Sequence, residues 1–217
     1  MLAAIFYVLR TGVPWRDLPT GFGPWSSVYA RFRRWCASGL FALVLAQLAK
    51  RAKGRLRHLD CSHIKLHQSG ANPRGGSAGQ AIGRTKGGIN TKLAAVVESR
   101  GRAVAPGLTA GQRHDLHAVA PLLGCLRRHQ AVADKGFDAD TFRTQLRRQR
   151  TRVCIPPKCN RRRRISFHRG YYRHRHQVEN FFCRIKRYRR ISTRYDKLAA
   201  TFQSFIQLAA IFDWLTH

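Results

Sequence analysis

At 217 residues with 44% apolar side chains, the chain is long enough for one medium domain or a small domain joined to a larger one, which excludes a disordered tail. Its 41 Lys and Arg against 10 Asp and Glu give a formal charge of +31, and a field of that size favours a polyanionic partner, with nucleic acid the obvious candidate. The arginines interleave with aromatics, as in RFRRW and YYRHRH, yet ribosomal proteins carry similar charge, so charge alone does not make an enzyme.

In chain order, residues 2–10 are expected to form a helix ending near Gly12. Pro14 to Pro24 follow as a turn-rich connection carrying Trp15 and Trp25. A second helix, over 26–35, has Ser26 or Ser27 as its cap and Val28, Phe32 and Trp35 at helical spacing, with Arg31, Arg33 and Arg34 between them. A third runs from Leu40 to about Lys53, so residues 1–54 make a small α-helical unit whose basic, aromatic middle helix suits DNA docking or, equally, a cap on the next domain. Its apolar runs, LAAIFYVL and FALVLAQLA, are too short to span a bilayer, and the first lacks the flanks of a signal peptide.

From Arg57 the periodicity changes. RLRHLDCSHIKL reads as a strand, Ser69 to Gly88 as a Gly-rich loop, and KLAAVVES with RAVAPGLTA as a hairpin joined by SRGR. A helix over about 115–128 with Asp115 as its N-cap leads into the apolar strand QAVADKG, the helix TFRTQLRRQR and the strand TRVCIPP. After the basic loop KCNRRRRISFHRG, a long helix is expected over 171–188 and an apolar helix over 197–215. A strand and hairpin followed by alternating helices and strands is a mixed sheet with helices packed on it, an α/β or α+β architecture. The six cysteines form no CxxC pair, which suits reduced thiols in a cytoplasmic protein; a zinc site from Cys154, Cys159, His168 and His174 is disfavoured by its loose spacing.

Of the ten acids, Asp138 suggests no particular role and the other nine can be taken one by one. Glu98 falls at a hairpin turn, Asp115 and Asp140 at helix starts, and Asp17, Asp196 and Asp213 in turns or helix faces where a surface role or a local Arg or Lys pair suffices. Three others stand out. Asp60 lies in a strand behind Leu59, and Asp134 ends the apolar run Ala131, Val132 and Ala133, the strand end at which α/β sheets place their sites. Burying an acid there is costly without a cation. On the 171–188 helix, Tyr172, Arg175, Glu179 and Lys186 fall within roughly 60° of arc at about 100° per residue, beside a core face of Val178, Phe181, Phe182 and Ile185. An ion pair of Glu179 with Arg175 or Lys186 is the plainer alternative. Three acids converging in so basic a protein make chemical sense as ligands of divalent cations acting on a phosphodiester, flanked by Arg and Lys that bind its phosphates.

These residues resemble the DDE transposases of bacterial insertion sequences, in the group named after insertion sequence five. The resemblance covers essentially the whole chain through VLRTGVPWRDLP, YARFRRW, LDCSHIKLHQ, AIGRTKGGINTK, LTAGQRHD, VADKGFDAD, VCIPPK and VENFFCRIKRYRRISTRYDK. Most specific is the spacing Tyr172, two residues, Arg175, three residues, Glu179, six residues, Lys186. The resemblance implies an RNase H-like catalytic domain over 55–217 preceded by a DNA-binding region over 1–54. It also implies Asp60 on the first strand, Asp134 just after the fourth and Glu179 on a later helix, all presented to two Mg²⁺ ions for which Mn²⁺ substitutes. The gaps of 73 residues between the two Asp and 44 before the Glu leave no room for a large inserted domain. The expected activity is hydrolysis at terminal inverted repeats, followed by attack of the freed 3′-hydroxyl on target DNA without a covalent enzyme intermediate. The expected partners are double-stranded DNA and further copies of the chain, as a homodimer or higher oligomer on DNA, at the bacterial nucleoid. Relatives commonly carry a further segment before the first helix, so an inactive remnant acting only as a DNA-binding protein is one competing reading, and a structure-selective nuclease of the RNase H type is another.

Overall fold

A computed structural model describes residues 1–73, 76–162 and 165–217. Parts of the expected loops at 69–88 and 158–170 fall on residues 74–75 and 163–164, which lie outside the described residues.

Three helices open the chain: α1 (Leu2–Thr11), closed by Gly12 in the left-handed conformation, α2 (Trp25–Ala37) and α3 (Leu40–Ala49). The helix α2 starts earlier than expected, because the carbonyl of Pro24 accepts from the backbone N–H groups of Ser27 and Val28; the cap is therefore Pro24, and no serine hydroxyl takes part. Val28 and Phe32 are buried as the spacing implies, and Arg31, Arg33 and Arg34 are exposed.

The mixed seven-stranded sheet is built around β1 (Leu56–Leu66). After a short α4 (Gly76–Gly79), β2 (Gly83–Thr85) forms a hairpin with β3 (Gly88–Glu98), so a strand lies inside the expected Gly-rich loop. Three residues are too few to show an alternation in sequence. Strand β3 runs antiparallel to β1 from Arg57 opposite Glu98 to Lys65 opposite Asn90, and β4 (Ala103–Ala110) pairs along the other edge of β3. The β3–β4 hairpin was legible in the sequence. Beyond β1, β5 (Gln130–Val132) and β6 (Arg152–Cys154) continue the sheet in parallel.

Between β4 and β5 the expected single helix is only α5 (Asp115–Val119), passing into 3₁₀ winding over Ala120–Leu126 where Pro121 has no N–H to continue the α ladder. The His114 ring, not Asp115, caps it, accepting from the Leu116 N–H at 3.2 Å, while Asp115 pairs with Lys92. Helix α6 (Asp140–Arg148) links β5 to β6.

The long helix expected over 171–188 is broken into α7 (Arg169–Tyr172), a 3₁₀ turn at Arg173–Arg175 and α8 (His176–Ile185). A short α9 (Arg189–Ser192) and β7 (Thr193–Arg194), which pairs parallel with the end of β1, lead to the apolar α10 (Ala199–Thr216). Of the two readings open for Asp196 and Asp213, a surface role or an Arg or Lys pair, the pair holds: both are buried, Asp196 against Arg190 at 3.0 Å and Asp213 against Arg184 at 2.6 Å.

Strand alternation divides the core. On β3, Leu93, Ala95 and Val97 face one layer with Ile64 of β1, packed under α1–α3, α8 and α10, while Ala94 and Val96 face the other with Leu59, packed under α5 and α6. This is an RNase H-like mixed sheet flanked by helices, preceded by a helical segment that shares its core with α8 and α10. Among the described residues, no helix is long and apolar enough to cross a membrane.

Candidate metal centre and nucleic-acid interface

Successive β1 side chains alternate between faces, so His58, Asp60, Ser62 and Ile64 share the α8 side while Leu59 and Cys61 join the other layer. Asp60 lies mid-strand with its side chain 19% exposed. One carboxylate oxygen accepts from the Cys61 N–H at 2.8 Å and the other from Arg175 Nη1 at 3.1 Å. Burial pushes its carboxyl up to about 6, with the nearby Asp134 charge acting in the same sense and Arg175 opposing it.

Asp134 comes two residues after β5, on the strand neighbouring β1. Its Oδ1 accepts from the Gly136 N–H at 2.9 Å, capping the turn that follows. A Cβ on Gly136 would stand 2.9 Å from that oxygen, so a larger residue there would press on the carboxylate.

Glu179 sits in the first turn of α8, exposed, and accepts a short hydrogen bond from Arg175 Nη2. The opposite face of α8 buries Val178, Phe181, Phe182 and Ile185, as the spacing requires. Gly101, at φ +82° in the β3–β4 turn, lets α8 come close, because a Cβ there would lie 2.7 Å from Gln177 Oε1, and Arg184 then donates to the Gly101 carbonyl at 2.8 Å.

Arg175 thus bridges a strand carboxylate and a helix carboxylate with one guanidinium. The ion pair of Glu179 with Arg175 is present, whereas Lys186 donates to Ser62 Oγ at 2.6 Å and to the His63 carbonyl at 3.2 Å. Tyr172 is half-buried, its ring edge-on to Phe167. Arg31, Arg33 and Arg34 stay on the exposed face of α2, where Arg33 lies over the Tyr29 ring. Among the described residues, no group of three or more His, Cys, Asp and Glu side chains is gathered closely enough to hold a metal ion. Asp60 and Asp134 are near neighbours, and Glu179 reaches Asp60 through Arg175. The donors are hard carboxylate oxygens around a position already taken by a cation, which is the chemistry a divalent ion requires.

Two residues escaped the sequence reading. His58, on the Asp60 face, is fully buried with neither ring nitrogen hydrogen-bonded, and burial, with the neighbouring His174, His176, Arg57 and Arg175 acting in the same sense, lowers it to about 4 and keeps it neutral. Its spacing of two from Asp60 was the available signal. Asp138 is a buried hub: Oδ1 accepts from Arg143 at 2.7 Å and Arg161 at 2.9 Å, and Oδ2 from Arg161 and the Lys158 N–H at 2.8 Å each. Burial opposes ionisation there, but the hydrogen bonds from Arg161, Lys158 and Arg143 outweigh it and hold the carboxyl down to about 2.

A basic mixed-sheet protein with one acid on the central strand, a second just past its neighbour and a third on a helix matches a known family of DNA-rearranging enzymes. Residues 51–213 match the family described as "Transposase DDE domain", and residues 1–45 match "Putative transposase of IS4/5 family". The chain belongs to the DDE transposases of IS4/5 type. It is 32% identical over 138 residues to the "Putative transposase for insertion sequence element IS6501" of Brucella ovis, covering 58% of this chain and 99% of that protein. It is also 39% identical over 90 residues to the "Insertion element IS402 uncharacterized 16.2 kDa protein" of Burkholderia cepacia, covering 39% and 56%. A third relative, "Uncharacterized protein y4sN" of Sinorhizobium fredii, is 33% identical over 79 residues, covering 36% and 63%. No solved structure matches.

Proposed function

We propose that this transposase binds the terminal inverted repeats of an insertion sequence as a homodimer or higher oligomer, cleaves the DNA ends by metal-dependent hydrolysis and joins the freed 3′-hydroxyl to target DNA. The observation that carries the reading is the Arg175 guanidinium held between Asp60 and Glu179, with Asp134 close to Asp60. In a chain of charge +31, acids drawn from separate elements meet at one cation position. Asp60, Asp134 and Glu179 are the proposed catalytic, metal-holding residues; two Mg²⁺ ions there, or Mn²⁺ in their place, would activate the attacking oxygen and stabilise the leaving one.

The chain's own residues do the rest. Arg175 releases the two carboxylates and takes a phosphate oxygen, for which its forked donors are shaped. Lys186 spends two of its three protons on Ser62 and His63, which fixes the ammonium and leaves one proton for a phosphate beside the scissile bond. Tyr172 lines the same approach. Residues 1–54 form the end-recognition region, with Arg31, Arg33 and Arg34 of α2 on the DNA, and 55–217 the catalytic domain.

The test is Mg²⁺-dependent cleavage of a duplex carrying the DNA that flanks the reading frame. Asp60→Asn, Asp134→Asn and Glu179→Gln should each abolish cleavage while DNA binding survives. Near-normal cleavage by one of them removes that residue from the site, and binding without cleavage by the unaltered chain would favour a DNA-binding protein instead.

A further inference from the structure

The first turns before β1, β5 and β6 meet at the end of the sheet opposite Asp134. Hydrogen bonds tie them together: the Gln130 N–H to the Arg55 carbonyl at 2.8 Å, the Arg152 N–H to the His129 carbonyl at 2.9 Å, and the Thr151 hydroxyl to the Leu126 carbonyl at 2.7 Å. Between them lies a cleft of about 520 Å³ whose lining includes Arg55, Arg128, His129, Arg150, Arg152 and Tyr171 and no carboxylate. Among the described residues, none of these four arginines is in a salt bridge.

Two of those arginines stand where the backbone favours glycine. Arg150 has φ 60° and is the left-handed residue of a helix-ending motif, with the Thr151 N–H bonded to the Leu146 carbonyl and the Arg150 N–H to the Arg147 carbonyl. Arg128 has φ 63° and is the third residue of a turn closed by the His129 N–H on the Leu126 carbonyl, following Arg127 at φ −55° and ψ 127°, the pattern of a type II turn. A long charged side chain at either position is a local conformational cost that glycine would remove. Both strained positions carry arginine, and both line the same acid-free cleft.

We propose that this cleft is a second DNA site, which holds a backbone phosphate of duplex DNA away from the scissile bond. The proposal rests on the transposase reading for its choice of anion. Leu56 and Asp60 are four residues apart on β1, about 13 Å at ~3.3 Å per residue, or roughly four base-pair steps at ~3.4 Å. A duplex engaged at the carboxylates is therefore long enough to reach the cleft.

The backbone makes the test clean, because Arg128→Gly and Arg150→Gly relieve strain instead of creating it. For the full chain in EDTA, binding of a 40 bp duplex (~40 bp suffices to span both sites) is measured across a salt series. In the double variant the slope of log affinity against log salt should shrink by about 0.9, the value for the one phosphate no longer neutralised, with the melting temperature unchanged or raised. An unchanged slope overturns the proposal. If the double variant melts lower, Arg128→Lys with Arg150→Lys decides: a slope near the unaltered one supports a phosphate contact, and a reduced slope assigns the arginines to structure and overturns it. Calorimetric titration with inorganic phosphate separates the sources, since phosphate binding lost in the glycine variant with no change in the DNA slope makes this a free-anion site and refutes the DNA assignment. Failure of the transposase reading looks different: the unaltered chain then cuts nothing with Mg²⁺, whereas failure of the cleft leaves a cutting enzyme with an unchanged slope.

Discussion

Asp60→Asn should make the metal-free protein more stable at pH 7 even as it abolishes cleavage. The carboxyl is largely buried, and its rise from 3.8 to about 6 means that the folded state holds the proton more tightly than the unfolded chain does. Stability from this group is therefore fully present below pH ~4 and lost as pH rises through about 6. Two pH units correspond to roughly 3 kcal/mol with the Arg175 attraction already included, and solvent screening of the partly exposed carboxyl reduces the expected gain to about 1–3 kcal/mol. Asparagine keeps an oxygen for the Cys61 N–H, so the local geometry survives. Thermal melts in EDTA should show the variant above the unaltered protein by roughly 3–10 °C at pH 7, with the difference vanishing near pH 4. Mg²⁺ should then raise the melting temperature of the unaltered protein and leave the variant unmoved. A variant less stable at pH 7, or a gain equal at both pH values, would refute the burial argument.

Asp138→Asn strands the buried Arg143 without its anion and should lower stability in urea by about 3 kcal/mol; a loss under ~1 kcal/mol would show that Arg143 finds another partner. Replacing Arg31, Arg33 and Arg34 with Ala should weaken binding to inverted-repeat duplexes more than to random ones in a competition assay, and equal losses reduce them to nonspecific phosphate binding. Lys186→Met should lower the salt slope of DNA binding by about 0.9. It should also cost about 1 kcal/mol in urea for the missing bonds to Ser62 and His63, and stability loss with an unchanged slope would make Lys186 purely structural.

Long periodic segments were legible in the sequence because one periodicity ran through each. The eleven residues of β1, the β3–β4 hairpin and the core face of α8 all emerge from alternation or helical spacing. What the sequence hid was set by partners distant along the chain. Asp213 is buried only because Arg184, 29 residues away, is brought beside it, and Arg175 reaches Asp60 across 115 residues. The break at Arg173–Arg175 was invisible to a helical wheel that assumed one winding throughout, and in 3₁₀ geometry side chains three apart eclipse, which alters the arc computed for Tyr172 and Arg175. The pair of Arg175 with Glu179 was legible as an i,i+4 spacing; the reach of the same guanidinium to Asp60 was not, because 115 residues separate the two.

The layer that packs Ile5, Val8 and Phe32 against Phe181, Phe205 and Trp214 joins the first helices to the last. During synthesis α1–α3 leave the ribosome with their apolar faces bare, and the residues that cover them arrive only when α8 and α10 have been made. At ~5–20 residues per second that wait lasts on the order of ten to forty seconds, a window open to chaperones and to aggregation. A reading frame cut short before α10 leaves out Phe202, Phe205, Ile206 and Trp214, and the indole of Trp214 no longer donates to the Ala103 carbonyl on the edge strand β4. Such a product has the three candidate acids in its sequence but lacks the packing that would fold them into a site.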